Sequence, residues 1–173
     1  KYRESYIPFS PIIEGGSGVD SLNIGMPSLL PERFEAGTLC VPAIAALLAG
    51  VREVRRVGID KIAQHELKLK AKLCELLSEM PEVELYLPSC DDESRPGTGV
   101  VAFNIKGKPS SDIADAFAKR GICVRSGFHC APLAHKALGT GPDGAVRVSF
   151  SMYSSENEVR AFATALHEII AEG

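Results

Sequence analysis

Apolar residues recur at helical spacing in three long segments of this chain. From Pro42 onward, Ile44, Leu47, Leu48, Val51 and Val54 fall on one stripe, and a proline is tolerated in the first turn, where its missing amide has no intrahelical acceptor to lose. Gly58 interrupts that helix. A second helix is expected from about Asp60 to Met80, with Leu69, Leu73, Leu76, Leu77 and Met80 on its apolar face and Pro81 stopping it. The third lies near the end of the sequence: Ser155 and Glu158 have the spacing of a capping box, and Val159, Phe162, Ala163, Leu166, Ile169 and Ile170 supply the stripe.

Alternating patterns lie between these helices. Val83-Glu84-Leu85-Tyr86-Leu87 alternates between two prolines, Val100 to Ile105 is a β-rich run, and Ala145 to Phe150 puts Val146, Val148 and Phe150 on one face with Arg147 and Ser149 on the other. Ser110 or Ser111 is expected to cap a helix carrying Ile113, Ala116 and Phe117, which Gly121 ends, and Ile122-Cys123-Val124 reads as a very short strand. Pro132 to Leu138 is a short helix candidate, and residues 88 to 98 form a polar loop. The order helix, strand, strand, helix, strand, strand, helix predicts a two-layer α+β sandwich without internal repeats. Residues 1 to 40, with Pro8, Pro11, Pro27, Pro31 and Gly15-Gly16-Ser17-Gly18, carry neither period and read as an extended tail packing on something outside the chain.

Composition narrows the possibilities further. The 173 residues are 45% hydrophobic and 24% charged, which describes an ordinary globular domain able to bury roughly two-thirds of its unfolded surface. A net charge of −3 with both signs interspersed argues against nucleic acid or an anionic membrane as the main partner. No apolar run approaches the ~18 residues of a membrane span, and the start Lys1-Tyr2-Arg3-Glu4 leads into prolines instead of a signal-peptide core, so a cytoplasmic setting is expected. Cys40, Cys74, Cys90, Cys123 and Cys130 are odd in number and irregularly spaced, unlike a secreted disulfide framework, so at least one thiol is expected to be free. With Lys1 in place of an initiator methionine, upstream sequence is expected.

The segment Gly121-Ile122-Cys123-Val124-Arg125-Ser126-Gly127-Phe128-His129-Cys130-Ala131-Pro132 carries the most chemistry. It sets Cys130 in a loop between a strand and a helix start, with Arg125 and His129 close in sequence. Positive neighbours and a helix start favour thiolate over thiol, and the thiolate is the nucleophile. The competing reading is a buried cysteine serving as a small hydrophobe. A metal site of Cys123, His129, Cys130 and His135 has suitable ligand types, but its C-x5-H-C-x4-H spacing matches no ordinary zinc pattern.

The run VRSGFHCAP, followed by GAVRVSFSMY and SSENEVRAF, resembles the C-terminal region of the cysteine desulfurase and selenocysteine lyase family, in the class V aminotransferase group of pyridoxal phosphate (PLP) enzymes. RFEAGT at Arg33 to Thr38 and the helix HELKLKAKLCELLSEMPEVELYLP from His65 agree in order and spacing. The resemblance implies a two-layer small C-terminal domain of a fold-type I PLP enzyme over residues 58–173, with residues 1–57 a remnant of the PLP-binding large domain. It implies that Cys130 is the nucleophile that takes sulfur from cofactor-bound cysteine, leaving alanine and an enzyme persulfide. Arg147 matches the arginine that binds the substrate carboxylate, which suits a planar fork able to make two charge-assisted hydrogen bonds. Arg125 and His129 match the active-site loop. Gly37 and Thr38 match the position that reaches the cofactor phosphate of the opposite subunit in a homodimer. A cysteine or selenocysteine substrate and a sulfur-acceptor protein are the further partners implied.

The sequence also departs from that family. Its cofactor-binding lysine lies in a Ser-x-His-Lys segment, and none of the lysines here has that context. Cys40-Val41 stands where Asn-Thr is frequent, and Ser154 where Asn is common after Tyr. The leading expectation is therefore the C-terminal part of a PLP-dependent cysteine desulfurase-like enzyme, inactive as an isolated chain. The alternatives are another class V lyase or aminotransferase, or a non-catalytic module that dimerises or carries sulfur on Cys130.

Overall fold

The structure is a computed structural model that describes residues 9–19, 22–86 and 97–172. The chain divides into two compact units, Lys1–Val54 and Arg55–Gly173.

In the first unit the proline-rich stretch is irregular, as its lack of period predicts, apart from one 3-10 turn at Glu32–Phe34. The amide of Gly37 donates to the Gly16 carbonyl at 2.9 Å, pinning one glycine segment to the other. Helix α1, Val41–Val57, begins here with Pro42 in its first turn. Its apolar stripe forms but is not covered: Ile44, Leu47, Leu48, Val51 and Val54 all remain exposed. Helical spacing determines which residues share a face, whereas burial of that face needs a second surface.

The second unit holds the core. Gly58, at φ 95°, breaks the backbone before α2, Ile59–Ser78. Then come β1, Val83–Leu85; β2, Val100–Ile105; α3, Ser110–Lys119; α4, Pro132–Leu138; β3, Val146–Ser149; and α5, Glu156–Ala171. The strands make one antiparallel sheet in the order β1-β2-β3, with Phe103 opposite both Leu85 and Val146. Alternation works as the sequence requires. Val101, Phe103, Val146 and Val148 are buried, while Ala102 and Arg147, paired across β2 and β3, point the other way. Helices α2, α3 and α5 cover the apolar face, giving two layers. Phe117 from α3 stacks on Phe162 from α5 at 4.5 Å, and Phe103 meets both rings edge-on at 6.4 and 5.9 Å.

Helix ends match the sequence signals with one exception. At α5, Ser155 and Glu158 complete the capping box. At the end of α3, Gly121 sits at φ 73°, and the amides of Gly121 and Ile122 return to the carbonyls of Ala118 and Phe117, a Schellman closure. The expected serine cap of α3 does not form: Pro109 is the cap residue, and buried Ser110 donates instead to the Asp143 carbonyl at 2.5 Å. The tertiary acceptor outcompetes the local one.

Two strand expectations are corrected. The first strand ends at Leu85, with Tyr86 outside it and Leu87 beyond the described residues, as is most of the loop expected over 88 to 98. Ile122-Cys123-Val124 is not a strand: only isolated bridges tie this region to the sheet, at Arg125–Arg147 and Gly127–Gly144. The Ile122 amide is already committed to the Phe117 carbonyl in the closure of α3, and backbone pairing with β3 begins only at Arg125.

The burial difference between the two stripes is testable. Leu73→Ala, at a fully buried position, is expected to cost about 2–5 kcal/mol of unfolding free energy. Leu47→Ala, on the exposed stripe, is expected to stay within about 0.5 kcal/mol of the parent. Urea unfolding monitored by circular dichroism reads both, and equal losses would refute the assignment of the core to the second unit.

Candidate active site

The site is built on the free edge of β3. Arg147 there exchanges both backbone hydrogen bonds with Arg125, at 2.7 and 3.2 Å, and Ala145 donates to the Gly127 carbonyl at 3.2 Å. That second approach needs glycine: a Cβ at Gly144, which is at φ 70°, would run into the Gly127 backbone. Asn104, buried on β2, braces the same corner, its amide donating to the Gly144 carbonyl at 2.9 Å and its oxygen accepting from the Val146 amide at 3.3 Å.

Beyond Gly127 the chain makes a tight turn. The Ala131 amide donates to the Phe128 carbonyl at 2.8 Å, and both central residues, His129 at φ 51° and Cys130 at φ 59°, are left-handed. Two consecutive non-glycine residues in that region cost of order 1–2 kcal/mol each, so other contacts must hold the turn. His129 supplies them, with Nε2 3.3 Å from the Arg125 carbonyl and Nδ1 3.4 Å from Nε2 of His135. Burial pushes the His129 imidazole below its ordinary value, the Arg125 carbonyl works in the opposite direction, and the charges of Arg147, His135 and Arg125 add to the lowering.

Four of the residues singled out in the sequence, Arg125, His129, Cys130 and Arg147, are thus gathered at one sheet edge. Cys130 is exposed, which excludes the small-hydrophobe reading, although Cys40 and Cys123 are exposed as well. Arg147 is only partly exposed, and among the described residues its Nε is a buried side-chain nitrogen without a hydrogen-bond partner. An orphaned guanidinium N–H of this kind fits a planar anion such as a carboxylate.

Gly37 and Thr38 lie in the first unit and are both exposed. The Gly37 amide is already committed to Gly16, and a Cβ at Gly37 would meet nothing within 4 Å, so the described residues do not close a cradle around a phosphate. Four of the described lysines have partners elsewhere: Lys68 with Glu156, Lys72 with Glu75, and Lys106 and Lys108 as donors to the Pro81 and Ile169 carbonyls. The residues present therefore fit a substrate carboxylate and not, by themselves, PLP. Nor is any group of three or more His, Cys, Asp or Glu placed to hold a metal among the described residues, so the four-ligand alternative finds no geometric support. Among them no helix is long and apolar enough to cross a membrane.

Sequence reasoning missed Thr140 and weighed His135 only as a metal ligand. The available signal was the short helix Pro132–Leu138 closed by left-handed Gly139, which folds Thr140 back onto His135.

Fold and site together define a small α+β domain with a guanidinium that lacks a partner at its Nε on a sheet edge, from which the turn bearing an exposed thiol departs. The chain belongs to the Aminotransferase class-V family, which matches residues 3–162. It is 36% identical over 170 residues to a protein of Pyrococcus abyssi named "Probable cysteine desulfurase", a match covering 97% of this chain and 41% of that one. A protein of the same name from Methanothermobacter thermautotrophicus is 34% identical, over 83% of this chain and 35% of its own length. Among solved structures, the apo form of a cysteine desulfurase from Thermococcus onnurineus NA1 superposes with a TM-score of 0.79 at 34% identity, covering 94% of this chain and 40% of that one. The chain thus spans 35–41% of the length of these relatives. The α+β architecture that the resemblance implied is the one observed.

The depressed His129 pKa carries a pH dependence. The folded state binds this proton less readily than the unfolded chain, whose imidazole titrates at 6.5. His129's contribution to stability is therefore fully present above that value and is lost as pH falls through the lower folded one. Thermal unfolding across this range is expected to show a flatter pH slope in His129→Gln than in the parent, and identical slopes would contradict the assignment.

Proposed function

We propose that this chain is the small-domain part of a PLP-dependent cysteine desulfurase-like enzyme, acting on L-cysteine or selenocysteine in a homodimer in the cytoplasm. The observation that carries this reading is the orphaned Nε of Arg147 at the sheet edge from which the turn bearing Cys130 departs. Arg147 binds the substrate carboxylate, and Arg125 and His129 shape the loop beside it. Cys130 receives the sulfur: a bond from its Sγ to the substrate sulfur replaces the sulfur–carbon bond, and the carbon takes up a proton to give alanine. PLP, when bound in the whole protein, supplies the electron sink that lets that bond break, and segments outside this chain hold most of it. Thr38 adds at most one phosphate contact across the dimer. The persulfide on exposed Cys130 is then open to a sulfur-acceptor protein.

A sulfur-carrying module without PLP chemistry is the second reading. It is favoured by the lack of a phosphate cradle or a suitably placed lysine among the described residues.

Three outcomes test the first reading. In a protein that includes a Ser-x-His-Lys segment upstream of Lys1, treatment with L-cysteine is expected to add one sulfur atom to the Cys130 peptide by mass mapping, and Cys130→Ser to abolish sulfide release. A persulfide on Cys123 or Cys40 instead would overturn the nucleophile. Arg147→Lys in that protein keeps the charge and loses the fork, so KM should rise by roughly tenfold or more with Tm nearly unchanged. Unaltered kinetics with a large loss of Tm would make Arg147 structural. The present chain alone is expected to lose PLP on gel filtration and to release no sulfide above a Cys130→Ser control, and retention of PLP would require a lysine other than the one in that upstream segment.

A further inference from the structure

Two buried side chains lie directly behind His129, and the proposed reaction assigns neither of them a part. His135, on α4, is 7% exposed and Thr140 is 6% exposed. His135 Nδ1 is 2.9 Å from the Thr140 hydroxyl, and its Nε2 faces His129 Nδ1 at 3.4 Å. The Phe128 ring packs edge-on against His135, centroids 5.4 Å apart, so both of the turn residues that precede Cys130 touch this imidazole.

We propose that His135 and Thr140 are positioning residues that lock the Phe128–Ala131 turn, and with it Cys130, through a hydrogen-bond chain running from Thr140 through His135 and His129 to the Arg125 carbonyl. The direction of the chain follows from its end. A carbonyl only accepts, so His129 Nε2 carries the proton and, in the neutral ring, Nδ1 is the acceptor. His135 must then donate from Nε2, which leaves its own Nδ1 as an acceptor, and the Thr140 hydroxyl donates to it. Every ring nitrogen is used once, and both imidazoles are neutral Nε2–H tautomers. The depressed pKa of His129, which faces Arg125 and Arg147 from the sheet edge and His135 from α4, is consistent with a neutral ring. The lock holds a conformation that the backbone resists, since His129 and Cys130 are both left-handed without being glycine. The bearing of this lock on sulfur transfer rests on the reading of Cys130 given above, but the lock itself does not.

The test uses the 173-residue chain labelled with nitrogen-15. Long-range nitrogen–proton spectra near neutral pH are expected to show Nε2 protonated and Nδ1 unprotonated in both His129 and His135; a Nδ1–H signal from either ring overturns the proposal. In Thr140→Val, which keeps the shape and removes the hydroxyl, hydrogen exchange at the Ala131 amide is expected to speed up roughly threefold to tenfold, the worth of one hydrogen bond. Thr140→Ser is expected to restore slow exchange, while the core amides of Val101 and Phe103 stay unchanged in both variants. Acceleration of all three amides together, or no rescue by serine, would assign Thr140 to general packing and overturn the lock. If the tautomers and the rescue hold but Cys130 gains no sulfur in the whole protein, the functional reading fails and the lock stands.

Discussion

The mutual backbone pairing of Arg125 and Arg147 is the constraint on which the site depends. β3 has one neighbour, β2, and its other edge is open to whatever the chain brings there. The returning segment contributes only isolated bridges, yet they close the edge, fix the register of the loop, and set two arginines opposite each other. An unpaired strand edge is usually a liability for aggregation, and here the loop that blunts it is also the one that leads to the turn bearing Cys130. The glycine pair Gly127 and Gly144 permits the approach, since any side chain at Gly144 would push the loop away.

From that anchor the structure moves through increasing strain. Leaving Gly127, the chain enters a turn whose two central residues pay for left-handed backbone without the freedom of glycine. Such strain persists only where the surroundings over-determine it. The surroundings here are a short helix, α4, with buried His135 beneath the turn and the left-handed Gly139 returning Thr140 to it. Placing a thiol on a strained, exposed turn and stabilising that turn from the buried side separates two demands that conflict in one residue, access and order.

The core on the other face of the sheet serves a different purpose. Phe103, Phe117 and Phe162 join strand, α3 and α5 into one aromatic cluster, so the floor under Arg147 is rigid. On the open face Asn104 bonds to Gly144 and Val146, which fixes the entry into β3. The guanidinium of Arg147 is therefore delivered by a well-packed strand, and its Nε remains free for an anion.

By itself the sequence determined what depends on neighbours in the chain. The α2 and α5 stripes, the alternation of Val146 to Ser149, the capping box at Ser155 and the glycine closure at Gly121 all follow from periodicity and local hydrogen bonding, and the α+β class follows from their order. Closeness in sequence singled out Cys130 with Arg125 and His129, and the resemblance of the motifs to a known family added Arg147. Tertiary structure alone decided the remainder. Whether a correctly patterned stripe is buried depends on a second surface, which is why α2 is covered and α1 is not. Ser110 abandons its cap because a distant carbonyl, that of Asp143, lies closer to hand, and Ile122-Cys123-Val124 fails as a strand because the Ile122 amide is spent on closing α3 and pairing with β3 begins only at Arg125. His135 and Thr140 enter the site only because Gly139 reverses the chain, and no linear pattern records which buried imidazole will meet which hydroxyl.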